Sequence, residues 1–165
     1  MLRDPKTLYL WGAVERTPEG LRFTDVGGAM RSEYLDPKRD GAVRMLATYG
    51  GVQPQLKARS GKGGLYQLYT AAEKSIHLAR WDNATMHQTF LREFPLRVPL
   101  QPGQDYELEL RTLGQTLTVK FNGEVLGTVT DAILSEGNFG VAVAEQEGDR
   151  NGAPTMVKAL EVLRL

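Results

Sequence analysis

The stretch Tyr106-Glu107-Leu108-Glu109-Leu110-Arg111 alternates apolar and charged residues without a break. Side chains of a strand alternate between its two faces, so a period of two means one buried face and one wet face. Thr116-Leu117-Thr118-Val119-Lys120-Phe121 repeats the pattern after the turn Leu113-Gly114-Gln115, and Asn122-Gly123 follows at once. A two-residue type I′ turn needs positive φ at both central positions, which Asn-Gly accepts most readily. Residues Glu124 to Val129 then return as a third strand, so 105–130 is an antiparallel meander. A chain committed to this period must find a second apolar surface to cover its inner face.

The rest of the chain carries the same signal. Strands are expected at Leu8–Val14, Leu21–Thr24, Ala29–Glu33, Val43–Tyr49, Gln55–Ser60 and Leu65–Thr70. Further strands are expected at Ser75–Trp81, Thr89–Phe94, Phe139–Ala144 and Val157–Leu163. Pro18-Glu19-Gly20, Gly27-Gly28, Gly50-Gly51, Gly61 to Gly64, Asp82-Asn83 and Pro102-Gly103 separate them, drawing on 18 glycines and 8 prolines. Many short strands with turns at about 8–12-residue spacing define an all-β sandwich or barrel, here of about 11–13 strands. One helical turn is expected near Asp131–Ser135, capped by Asp131, and residues 145–154 read as a polar loop.

Composition removes whole classes of function. The chain of 165 residues has no cysteine, which excludes disulfides, thiolate zinc sites and a cysteine nucleophile. Twenty Lys+Arg balance twenty Asp+Glu, so the basic footprint of a nucleic-acid binder is missing. No apolar run reaches the roughly 18 residues that span a bilayer, so no membrane insertion is expected. Met1 to Lys6 lacks the apolar centre of a signal peptide. The chain is therefore expected to be either cytoplasmic or a single domain, 1–165, of a larger protein, and in the second case extracytoplasmic.

The C-terminal half resembles the concanavalin A-like lectin/glucanase superfamily. The residues that carry the likeness are Pro102-Gly103-Gln104-Asp105-Tyr106 through Arg111, Leu117 through Gly123, and Gly137-Asn138-Phe139-Gly140-Val141-Ala142, closed by Val157 to Leu165. Together they read G-x-x-Y-x-L-x-L, then G-x-x-L-x-V-x-x-N-G, then G-x-x-G-V. Within the superfamily the pattern is most similar to bacterial laminin-G-like and 3-keto-disaccharide hydrolase-like domains. The resemblance implies a jelly roll of two antiparallel sheets, with ligands held in or beside a concave outer face. It also implies an accessory role beside neighbouring domains, since similar modules are appended to bacterial kinases and surface proteins. Calcium accompanies many relatives, and Asp82-Asn83 with Glu145 to Asn151 offer oxygens, but no Asp-x-Asp-x-Asp series is present and no cofactor is assigned.

Two sets of side chains bear on chemistry. Asp105, Glu107 and Glu109 share a strand face, and paired carboxylates are what glycoside hydrolysis requires. The superfamily's glucanases carry Glu-x-Asp-x-(x)-Glu on the catalytic strand, often beside a tryptophan. The order here is Asp-x-Glu-x-Glu without one, so the three are read as a solvated face beside Arg111 and Lys120, and no catalytic residue is assigned. A hydrolase using Glu107 and Glu109, or Glu73, stays as the alternative to a binding module, beside a purely structural interaction domain. His77 and His87 have no metal-ligand spacing, no Gly-x-Ser-x-Gly elbow exists, and Arg59 to Gly64 lacks phosphate-loop spacing.

The second set is a series of arginines on strand faces, Arg44, Arg59, Arg80 and Arg92, with Lys57 close by. If their strands are neighbours, their polar faces converge on a groove. Tyr49, Gln55, Gln67, Tyr69 and Trp81 lie nearby, and aromatic rings beside polar groups suit sugars. Arg44, Tyr49, Gln55, Arg59, Gln67, Tyr69, Arg80 and Trp81 are the expected ligand-binding set, for a carbohydrate or small polar ligand. Alternation groups Trp81 with His77 and Ala79, opposite Ile76, Leu78 and Arg80.

Overall fold

The computed structural model describes residues 8–11, 14–23, 30–50, 53–143 and 155–165. Those residues form fourteen strands and no helix. In chain order they are β1 Leu8–Trp11, β2 Val14–Thr17, β3 Gly20–Phe23, β4 Met30–Lys38, β5 Gly41–Thr48, β6 Pro54–Ser60 and β7 Gly64–Ala71. They continue as β8 Ser75–Asp82, β9 His87–Pro95, β10 Asp105–Leu113, β11 Thr116–Phe121, β12 Glu124–Thr130, β13 Gly137–Val143 and β14 Thr155–Arg164. The first sheet runs β1-β4-β13-β6-β7-β8-β9 and the second β12-β11-β10-β5-β14-β3-β2. Every pairing is antiparallel, and the architecture is the jelly-roll β-sandwich expected from the alternation.

The inner faces interdigitate along cross-strand rows. In the second sheet Leu108 faces Met45 and Leu110 faces Val43, while Met45 faces Leu160 on the other side. In the first sheet Val141, Leu56, Leu68 and Leu78 form one continuous row. All nine of these residues are fully buried. Asn122 and Gly123 both adopt positive φ, 48° and 82°, as the I′ turn between β11 and β12 demands.

Three expectations need correction. The segment expected as one strand, Leu8–Val14, is divided: β1 belongs to the first sheet and β2 to the second, which brings the strand count above the expected 11–13. No helix forms at 131–135. The Asp131 carboxylate accepts the Ile133 N–H at 3.0 Å as an Asx turn, and it also takes the Tyr66 hydroxyl and the Arg80 guanidinium. These partners hold the segment against the sandwich end and leave no helical ladder. The third concerns Glu109, which is 3% exposed rather than solvated. Expected features at Thr24, Gly27-Gly28, Ala29, Gly51, Ala144 and 145–154 lie outside the described residues.

The open side of the sandwich, between edge strands β9 and β12, is partly closed by Arg92. Its guanidinium lies 4.7 Å from the Phe94 ring centre and donates to the Thr128 carbonyl at 2.9 Å. A Cβ at Gly127 would come within 2.9 Å of both the Arg92 guanidinium and the Phe94 ring. Glycine at 127 is what lets this plug seat.

Candidate functional site

The register of the first sheet assembles the site. Across β6 to β9, Gln55, Tyr69, His77 and Glu93 stand in one row, and Lys57, Gln67, Ala79 and Phe90 in the next. Leu65, Trp81 and Gln88 form a third. All point away from the core, because their neighbours Leu56, Leu68, Ile76 and Leu78 point into it. On the far side of β6, β13 presents only Ala142 and Gly140 to the first two rows.

Two bulges decide who belongs. Pairing of β8 with β9 slips between Leu78 and Ala79, so Phe90 faces Ala79 while Glu93 faces His77. The extra residue on β9 places Phe90 and Glu93, three apart in sequence, on the same outer face. Pairing of β13 with β6 slips between Asn138 and Gly140, and Arg59 there has φ of 49°. That turn diverts Arg59 from the face that Gln55 and Lys57 occupy.

Exposure across the face is uneven. On the edge strand Phe90 is 53% exposed and the Glu93 side chain likewise, whereas outward-pointing Tyr69, Gln55 and Lys57 are buried. The rings form a connected set: Tyr69 lies 5.7 Å from His77, and Phe90 meets His77 edge-on at 5.1 Å. Gln88 Nε2 donates to the Tyr69 hydroxyl at 2.9 Å, and His77 Nε2 lies 3.6 Å from Glu93. An exposed ring beside three glutamines can stack on an apolar ligand face while the amides donate and accept hydrogen bonds.

Of the eight residues expected to bind ligand, Gln55, Gln67, Tyr69 and Trp81 come together on this face. The other four do not. Arg44 is on β5 in the second sheet, where it pairs with Glu161 and stands 3.8 Å from Glu109. The Glu161 hydrogen bond holds its guanidinium above the ordinary arginine range. Tyr49 lies beyond the end of β5, with its backbone bonded to Gln104 and Gly103 at 2.8 Å. Arg59 is 2% exposed and donates to the carbonyls of Arg39, Leu134 and Gly114 at 2.7–2.9 Å. Arg80 points to the core side and pairs with Asp131. The expected convergence of arginines is therefore absent: Arg44 is on the wrong sheet, Arg59 and Arg80 serve the sandwich end, and Arg92 plugs the side.

Sequence reasoning missed His77, Gln88, Phe90 and Glu93 as members of the face. Alternation on β8 already grouped His77 with Trp81, but nothing in the local sequence marks the β9 bulge. His77 and His87 sit toward opposite ends of the β8–β9 hairpin, opposite Glu93 and Asp82. Among the described residues no cluster of three metal-ligating side chains occurs. Asp82 accepts the Ala84 and Thr85 N–H groups, and Asn83 donates to the carbonyls of Gly61 and Lys62, so both order local turns.

The carboxylates of β10 lie on the outer face of the second sheet. Asp105 is bonded to Lys158 and Thr48 at 2.7 Å, and the Lys158 hydrogen bond does most to hold it below the usual carboxylate range. Glu109 accepts both Nε and Nη2 of Arg111 at 3.1 and 2.9 Å, with Lys120 at 4.0 Å. This face satisfies its own charges.

The two-sheet jelly roll is one that solved carbohydrate-binding and lectin-like structures share. No protein-family model matches the chain, and no curated protein sequence matches it either. Solved structures do. A carbohydrate-binding module, CBM66, from Bacillus subtilis superposes with a TM-score of 0.79 at 18% identity, covering 99% of this chain and 98% of its own. A legume lectin-like domain from Entamoeba histolytica gives 0.66 at 9% identity, covering 97% and 94%. A putative glycosyl hydrolase from Parabacteroides distasonis gives 0.67 at 8% identity, covering 99% and 90%.

Proposed function

We propose that the chain is a non-catalytic carbohydrate-binding module that holds its ligand on the outer face of the first sheet. The observation that carries the reading is the joining of Gln55, Gln67 and Gln88 with Tyr69, His77, Phe90 and Trp81 in three adjoining rows. Sugar rings present C–H faces that suit Phe90 and Trp81, and hydroxyls that suit amides. The four arginines of the expected groove are engaged elsewhere, so the described side chains favour a neutral saccharide over an acidic one. The similarity to the carbohydrate-binding module and the lectin-like domain supports the same reading. In this role residues 1–165 act as an accessory domain of a larger, extracytoplasmic protein.

The hydrolase alternative draws less support. A general acid needs a carboxyl kept protonated by an apolar setting, opposite a second carboxylate across an open groove. Asp105, Glu107 and Glu109 are on the other sheet, and Glu93 is the one carboxylate among the described side chains of the proposed face.

The test is a glycan array followed by calorimetric titration with the neutral and acidic polysaccharides that score. Binding of a neutral glycan that Gln67→Ala and Phe90→Ala each weaken about tenfold, and Arg111→Ala leaves intact, is the expected result. No binding to any glycan, or binding that neither of the first two substitutions weakens, overturns the assignment.

A further inference from the structure

Below the Arg92 plug the side seam of the sandwich opens into a cleft of about 440 Å³. That lies within the roughly 300–1,000 Å³ typical of small-molecule pockets. One wall is the chain leaving β9, residues 95–98; the other is the β11–β12 hairpin, residues 121–126, with Gln104 also contributing. Leu96, Phe121 and Leu126 form an apolar lining, half-buried against the core, and Phe121 stacks on Tyr106 at 6.2 Å.

Four side chains able to hydrogen-bond surround that lining: Arg97, Gln104, Asn122 and Glu124. Gln104 and Asn122 have their carbonyl oxygens fixed by the N–H groups of Gln101 and Glu107, at 3.0 and 2.8 Å, which holds both amide planes. Arg97 and Glu124 are exposed and form no ion pair with any described residue. One cation, one anion and two amides sum to zero charge. Val98 and Val125 at the mouth are 75% and 54% exposed, an apolar cost that a bound molecule would offset.

Backbone geometry argues against an added strand as the occupant. On the β9 side Pro95 has no N–H, and those of Leu96 and Leu100 already bond Lys74 and Glu73 at 2.8 Å. On the β12 side the pairing slips between Val119 and Lys120, and Arg92 occupies the Thr128 carbonyl. Neither edge offers the regular run of free groups that strand addition uses. Recognition must come from side chains around a compact volume.

We propose that this cleft is a second ligand site, separate from the first-sheet face, for a compact neutral polyhydroxylated molecule of mono- to disaccharide size. Arg97 and Glu124 bind hydroxyl pairs from opposite walls, and the Gln104 and Asn122 amides donate to ring or hydroxyl oxygens. Two sites on one module raise the effective concentration of a branched or multi-chain glycan at the second site once the first is filled.

Maltose, cellobiose and sucrose, titrated singly against the ¹⁵N-labelled full chain, test this. Saturable amide shifts at 96–98, 104 and 121–126 are expected with at least one of them. The double variant Arg97→Ala/Glu124→Ala should weaken that binding about tenfold or more, as loss of two charge-assisted hydrogen bonds requires, without lowering the melting temperature. Phe90→Ala should leave it unchanged, which separates this site from the first-sheet face. No saturable shift in these amides, shifts confined to the first sheet, or an unaltered Kd in the double variant overturns the proposal. So does a capped peptide Val-Thr-Val-Thr that shifts the same amides more tightly than every sugar.

Discussion

The two outer faces of this sandwich have the same architecture and opposite chemistry. On the second sheet, Arg44, Arg111 and Lys120 gather round Glu109, Arg44 also meets Glu161, and Lys158 meets Asp105. On the first sheet, glutamines and aromatic rings lie in rows, and the described charges are few. A face whose charges neutralise one another has little left to offer a ligand, and opening it costs free energy. A face of amides and rings gives up only water when a sugar arrives. Four cations and three anions of the second-sheet face thus pair with one another.

The largest expected effect comes from breaking the charged face. Glu109→Ala leaves three cations around a nearly buried position; they are 27–36% exposed and stay partly hydrated, so the loss is that of charge-assisted hydrogen bonds, about 2–3 kcal/mol. Urea unfolding should register most of that loss, while glycan affinity at a concentration where the variant is folded stays unchanged. A drop in affinity with stability intact would reverse the roles assigned to the two faces.

A control touching neither face is next in size. Tyr66 is fully buried, and its hydroxyl donates to Asp131 while accepting the Leu134 N–H at 3.2 Å. Burial, then the Asp131 hydrogen bond, pushes its pKa up to about 12. Above pH 10 the unfolded chain releases this proton and the folded chain keeps it, so stability falls as pH rises from 10 towards 12. The loss is on the order of 2 kcal/mol. Tyr66→Phe should flatten this alkaline slope in denaturant midpoints measured across that range; an unchanged slope would refute the assignment.

Phe90→Ala is expected to lower glycan affinity about tenfold, about 1.4 kcal/mol, while changing folding stability by less than about 0.5 kcal/mol because the ring is largely exposed. Calorimetry and melting on the same sample check both halves. The smallest effect belongs to Asp105. Its lowered pKa contributes stability above the unfolded value of 3.8, lost as pH falls through the folded value. With both partners about 40% exposed, the contribution is below about 1 kcal/mol. Asp105→Asn should remove that part of the acid slope and leave sugar binding alone.

The strands were legible because period-two patterning is a local property. The β10–β12 meander, the Asn122-Gly123 turn and the grouping of Trp81 with His77 all follow from neighbours in sequence. Sheet membership is not local: nothing near Arg44 says that β5 joins the second sheet while β6 joins the first. Bulges are the other blind spot. A single extra residue on β9 brings Phe90 and Glu93 to the binding face, and the turn at Arg59 takes a candidate off it. Asp131 read as a helix cap because an Asp before a polar run looks the same whether its carboxylate meets N–H groups of a helix or a buried tyrosine. The candidate site was half visible for these reasons, its β6–β8 members more so than those on β9.

Arg59 has a dynamic consequence. Its carbonyl partners belong to three separate connections: β4–β5 at Arg39, β10–β11 at Gly114 and β12–β13 at Leu134. The same turns are cross-tied by the Gly114 N–H to Asp40 and the Asp131 N–H to the Gln115 carbonyl, at 2.8 and 2.9 Å. Loops on a β-sandwich ordinarily open one at a time. Here a single guanidinium ties three of them together, so the amides of Gly114 and Asp131 are expected to exchange with solvent at a common rate, and an Arg59→Ala variant to expose both together in hydrogen exchange.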